Sequence, residues 1–133
     1  MQTLHINRTA IHPHPLNTEL YGQPDVDEAF VDHIRQFGIQ QPIVLMPHAE
    51  LPNHYYTLGG HRRMAAAAML GLEFVPCTVE TPQTEAEATL LLVGLNFQRE
   101  KTMRQKTREF MALEGIENGA FFWLRSASEK RPN

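Results

Sequence analysis

Gly59-Gly60-His61-Arg62-Arg63 is the stretch whose residue types and spacing point most directly to chemistry. Ahead of it, Tyr55-Tyr56-Thr57-Leu58 reads as a strand. After it, Met64, Ala65 to Ala68 and Met69 read as a helix, so the glycine pair stands at a strand-to-helix hinge. A helix start leaves about four backbone N–H groups without intrahelical partners and carries roughly half a positive charge, which suits phosphate. Gly59 and Gly60 open backbone angles closed to other residues and place no Cβ between backbone and ligand. His61, Arg62 and Arg63 then add an imidazole and two guanidiniums to the first helical turn, where cations oppose the helix dipole and an incoming anion would relieve the conflict. An ordinary glycine turn with solvated arginines has the same spacing, because short glycine motifs are weak evidence alone.

Other groups carry less. His61 has the chemistry of a catalytic acid or base, but no carboxylate pair for a two-metal centre accompanies it. His5, His12 and His14 raise the question of a metal. No cysteine or nearby carboxylate completes a ligand set, so a loop bordering a ligand pocket is the simpler reading. Cys77 sits in an apolar run and reads as a small core residue. Five bases, Arg99, Lys101, Arg104, Lys106 and Arg108, face one acid, Glu100, over ten positions. That run suits a solvated helix face or a DNA-binding patch of Lys101, Arg104, Lys106 and Arg108. Phe121, Phe122, Trp123 and Leu124 form an apolar cluster that calls for burial against the domain or a partner.

The elements that must position these groups follow from periodicity. Gln2 to Ile6 alternates as a first strand, and Pro13 and Pro15 are expected to keep Ile11 to Asn17 extended. Asp25-Val26-Asp27-Glu28 has the spacing of a helix-opening box. Phe30, Val31, Ile34 and Phe37 continue as an apolar stripe ended by Gly38. Pro42 to Met46 and His54 to Leu58 form a hairpin that delivers the chain to the glycine pair. The helix His61 to Leu70 stops at Gly71, and a strand from Glu73 to Val79 carries Pro76, which suggests an edge position or a bulge. Thr84 opens a helix to about Leu95 whose near-continuous leucines imply cover on more than one side, and a further helix runs from Thr102 to about Glu117.

At 133 residues and 42% hydrophobic, the chain is expected to bury one moderate core. A net charge of −3 argues against indiscriminate coating of nucleic acid, so DNA contact needs a local patch. One cysteine rules out an intrachain disulfide framework, no apolar run spans a membrane, and no signal pattern opens the chain; a cytoplasmic protein is expected.

Three segments in order, Gln40-Gln41-Pro42-Ile43-Val44, Gly59-Gly60-His61-Arg62-Arg63 and Asn96-Phe97-Gln98-Arg99-Glu100, resemble the signature of the ParB N-terminal domain of the ParB/sulfiredoxin fold. The resemblance covers about Ile11 to Phe110. It implies an α/β (α+β) fold, a small mixed sheet with flanking helices followed by a C-terminal helix, divided into a nucleotide-binding domain over 1–100 and a helical extension over 101–133. It also implies a nucleoside triphosphate, CTP or ATP, with Gly59, Gly60, His61, Arg62 and Arg63 as first phosphate contact and Asn96 and Arg99 as second. Asn17, Gln41 and Pro42 fall on the base and ribose side. Family members bind DNA and dimerise as clamps, so a homodimer or protein partner in a plasmid or phage-type partition system is expected. Two positions depart from the pattern: His61 replaces the usual Glu, and Leu95 replaces the acid that helps hold Mg²⁺, leaving Glu100 as the substitute carboxylate. The residues after the last helix are too few for the family's helix-turn-helix reader. The loop is also similar to that of sulfiredoxin, but His61 stands where that chemistry needs a thiolate. A CTPase, ATPase or nuclease activity and a nucleotide-free adaptor acting through Phe121 to Leu124 remain alternatives to a nucleotide-binding switch.

Overall fold

The computed structural model describes residues 2–96 and 103–118. They fall into two compact units, the first made of residues 2–13 with Gln23–Thr81 and the second of His14–Gly22 with residues 82–96 and 103–118.

The first unit holds five strands, β1 (Leu4–Asn7), β2 (Ile11–Pro13), β3 (Ile43–Pro47), β4 (Tyr55–Gly59) and β5 (Phe74–Val79), in the order β1-β5-β3-β4-β2. The sheet is mixed: β1 with β5 and β3 with β4 run antiparallel, whereas β3 with β5 and β2 with β4 run parallel. Alternation sets its core face. Ile43 and Leu45 on β3 and Val75 and Cys77 on β5 are fully buried and cluster with Ile11 and Ala67. A second cluster joins Val31 and Ile34 of α2 (Glu28–Phe37) to Ala66 of α3 (His61–Leu70). Adjacent alanines thus serve two packing partners, Ala67 the sheet and Ala66 the neighbouring helix, because a methyl lets both approach closely.

Of the carboxylates in the helix-opening box, Asp27 caps α2: it accepts the Phe30 N–H at 2.8 Å, while Asp25 lies outside the helix. Other details differ from expectation. Pro15 does not extend the preceding strand; it opens helix α1 (Pro15–Tyr21), where its missing N–H would have had no helical partner, and His14 caps that helix through Nδ1 to the Leu16 N–H at 3.1 Å. Pro76 is not on an edge strand, since β5 lies between β1 and β3. It is accommodated because β3 pairing begins at Cys77, so Pro76 faces only His5 of β1.

The second unit contains α1, α4 (Glu85–Leu95) and α5 (Met103–Asn118), with Leu16, Leu20, Tyr21, Ala88, Leu92 and Ala112 buried. Thr84 caps α4 by accepting the Glu87 N–H at 3.1 Å, and the Glu87 carboxylate accepts the Gln83 N–H at 2.7 Å. Cover on several sides of α4 is not found among the described residues: Leu90 and Leu95 stay about half exposed. Polar groups fasten α5 to α1. The Tyr21 hydroxyl donates to the buried Glu109 carboxylate, Gln105 donates to the Tyr21 carbonyl at 3.1 Å, and Arg108 donates to the Glu19 carbonyl at 2.9 Å. No described helix is long and apolar enough to cross a membrane.

Candidate functional site

The hinge is built by β4 running directly into α3. Gly59 is the last residue of β4, and Gly60 is the α3 N-cap, left-handed at φ +98°, with no side chain capping the helix start. Glycine suits that conformation: a methyl at Gly60 would be strained and would stand 3.1 Å from Nη2 of Arg63 and 3.2 Å from Cγ1 of Ile43, tight enough that these neighbours would have to give. The first helical bond runs from the Met64 N–H to the Gly60 carbonyl at 2.9 Å, so α3 begins its backbone ladder at Met64.

The three basic residues after the glycines diverge. His61 is buried and lines a cleft of about 210 Å³ together with His12, Gln23, Thr57, Met64 and Ala65. Arg62 is exposed and turns to the entry of α2, where Nε donates to the Asp25 carbonyl at 2.9 Å and the guanidinium lies 4.4 Å from the Phe30 ring centroid. Arg63 turns to the entry of β3 and donates from Nη1 to the Gln41 carbonyl and, at 3.0 Å, to the Pro42 carbonyl. Burial pulls the Arg63 pKa down from the ordinary guanidinium range. Among the described residues neither arginine is tied up by a carboxylate; the only ion pair there joins Arg35 to Asp32. Gln41 and Pro42 meet this cluster through their carbonyls, which hold Arg63 and fix its guanidinium against Gly60.

The remaining predicted residues belong to the second unit. Asn17 on α1 is buried, and its Oδ1 has no hydrogen-bond partner among the described residues. Asn96 ends α4, donating from Nδ2 to the Leu92 carbonyl at 2.8 Å. Arg104 and Lys106 are exposed, whereas Arg108 is engaged with the Glu19 carbonyl. Arg99, Glu100, Lys101 and the Phe121 to Leu124 cluster lie outside the described residues. Of the three histidines weighed as metal ligands, His5 is exposed on β1, His12 pairs with His54 and His14 is the α1 cap. No group of three His, Cys, Asp or Glu side chains is arranged to hold a metal among the described residues. Thr57 and Gln23 were not singled out by the sequence. Thr57 shows only as the polar member of a strand run, and Gln23 carries no signal, because β2, β4 and α3 meet only in the folded sheet.

The family model for the ParB N-terminal domain matches residues 2–94, seventy per cent of the chain, with the glycine hinge inside the matched span. The chain belongs to the ParB N-terminal domain family. This ParB-family chain is 33% identical over 94 residues to a probable chromosome-partitioning protein ParB of Pseudomonas putida, an alignment covering 71% of the chain and 31% of that relative. It is 42% identical over 73 residues to a probable plasmid-partitioning protein ParB of Thermus thermophilus, covering 55% of the chain and 23% of that relative. The chain therefore spans about a third or less of the length of these curated relatives. Among solved structures, the C-terminally truncated chromosome-partitioning protein ParB of Caulobacter crescentus, complexed with CTP-γ-S, matches with a TM-score of 0.60 at 20% identity, over 92% of this chain and 70% of that one. That likeness shows the shared ParB/sulfiredoxin fold. The ParB family match begins nearer the N-terminus than the three motifs indicate and ends two residues before Asn96.

Proposed function

We propose that this chain is the nucleotide-binding module of a ParB-type partition protein and that it takes the triphosphate of CTP at the Gly59-Gly60 hinge. The observation carrying this reading is the start of α3: a left-handed glycine packed closely against Arg63 and Ile43, an N-terminal turn without a side-chain cap, and Arg62 and Arg63 beside it. Such a turn offers backbone donors and the positive helix end to an anion. Arg62 is the contact residue of the pair, because it is exposed and held by only Nε, leaving its terminal nitrogens for a bidentate grip on phosphate oxygens. Support also comes from the family relationship and from the nucleotide analogue carried by the Caulobacter ParB of the same fold. Asn17 and Asn96 on the second unit are assigned to the nucleotide as well, on the family pattern. Partition of plasmid or chromosomal DNA, dimerisation and any Mg²⁺ requirement are extensions of the same reading.

Calorimetric titration tests it. Wild-type protein is expected to bind CTP saturably, with Arg62→Ala losing at least about tenfold in affinity, the loss of roughly 1.4 kcal/mol. Heat of binding absent for both CTP and ATP at millimolar concentration, with and without Mg²⁺, would reject the proposal.

A further inference from the structure

The histidines that the hinge does not use gather at the opposite end of β4. His12 sits on β2, a three-residue edge strand, and its Nε2 lies 2.8 Å from Nδ1 of His54, just ahead of β4. The two rings stack at 5.0 Å between centroids. His48, just after β3, meets His12 edge-on at 5.2 Å and stacks on Tyr56 at 4.2 Å. Nδ1 of His48 accepts the backbone N–H groups of Glu50 and Leu51, both at 3.1 Å, and the His48 N–H donates to the His54 carbonyl at 2.9 Å. One cluster therefore ties the β3–β4 loop to itself and to β2.

These bonds count protons. Between His12 and His54 one nitrogen must donate and the other accept, so the contacting nitrogens share a single proton. A second proton sets two N–H groups against each other and adds like charges at close range. At His48 the accepting Nδ1 must be bare, and protonating it opposes two backbone donors. The groups facing the cluster are His12, His48, His54 and Tyr56, with Glu50 on the loop and His61 across the same cleft from His12. Tyr56, its pKa raised by burial, stays neutral across the range in which imidazoles titrate.

We propose that the His12–His54 pair, backed by His48, is a proton-sensitive latch that fastens β2 to the β3–β4 loop at neutral pH and releases that wall of the cleft on acidification. β2 is short, lies at the sheet edge and pairs only with β4; Ile11 is its buried anchor in the core, and the His12 end is held by the β4 pairing and the histidine contact. Because His12 and Thr57 line the cleft with His61, release reshapes the wall beside the hinge.

The test needs no nucleotide, so its outcome is separate from that of the CTP reading. Imidazole ¹⁵N spectra of the wild-type protein are recorded from pH 8 to pH 5, together with backbone amide shifts of Ile11, His12, Tyr55, Tyr56 and Thr57. The expected result is that His12 and His54 titrate as a coupled pair and that the five amides move with the second proton. His12 and His54 titrating independently, each near the ordinary histidine value and without displacement of those amides, would overturn the latch. Melting temperatures give the second readout: the wild type is expected to lose stability between pH 7.5 and 5.5, with about half or more of that loss absent in His54→Gln. An unchanged pH slope in a folded His54→Gln protein would also overturn it. Should that variant not fold, the wild-type spectra decide alone.

Discussion

Arg62 and Arg63 are adjacent and chemically identical, but replacing them is expected to read out differently. Arg62 is exposed and bound to the fold by one Nε hydrogen bond and a ring contact, so Arg62→Ala is expected to weaken CTP binding while changing stability by less than about 1 kcal/mol. Arg63 bridges the Gln41 and Pro42 carbonyls beneath Gly60. Its loss leaves two acceptors without their charged donor, and Arg63→Ala is expected to cost about 1–2 kcal/mol in urea unfolding as well as binding. Gly60→Ala forces a left-handed residue into tight contact, at about 1–3 kcal/mol by the same measurement. Cys77 is fully buried, and burial pushes its thiol up to about 11, so native protein at pH 8 is expected to resist iodoacetamide until denaturant is added. Rapid labelling of the folded chain would contradict that placement.

At the scale of elements, caps and packing explain why these segments adopt the structures seen. Asp27 has the N-cap hydrogen bond and Asp25 does not, which makes a paired prediction: Asp27→Ala should lower stability by about 1 kcal/mol and Asp25→Ala by appreciably less. The α3 segment contributes little amphipathic signal of its own, because alanine packs on two sides at once. Its start and stop were nonetheless legible, since Gly60 and Gly71 mark both ends. The α1 helix was not legible. Two prolines at alternate positions suit extended chain as well as a helix start, and only the His14 cap and the burial of Leu16 and Leu20 against their unit favour the helix.

Across the molecule, proton linkage and ligand linkage give two independent checks. Burial, followed by the nearby His54, holds the His12 pKa below the ordinary 6.5. The unfolded chain takes up that proton first, so the contribution to stability is complete above about pH 6.5 and is lost as pH falls through the lower folded value. Thermal melts at fixed ionic strength should therefore show a decline on the acid side of 6.5 and no matching decline from His12 above it. CTP at about 100 times its Kd should raise stability by roughly 2.7 kcal/mol, a shift that Arg62→Ala abolishes at the same concentration.

The amino-acid order alone determined the strand–glycine–helix hinge, the limits of α3 and α4, the apolar burial of Cys77 and the family to which the chain belongs, because these rest on local periodicity, glycine conformation and motif spacing. Tertiary structure decided the rest. It placed β5 inside the sheet and so overruled the edge reading of Pro76, assigned His14–Gly22 to the unit of α4 and α5, and sent Arg62 and Arg63 to different partners. It also brought His12, His48 and His54 together from three separate segments. The physical reason is that these outcomes depend on strand order and register, which join residues distant in sequence and leave no trace in the local pattern.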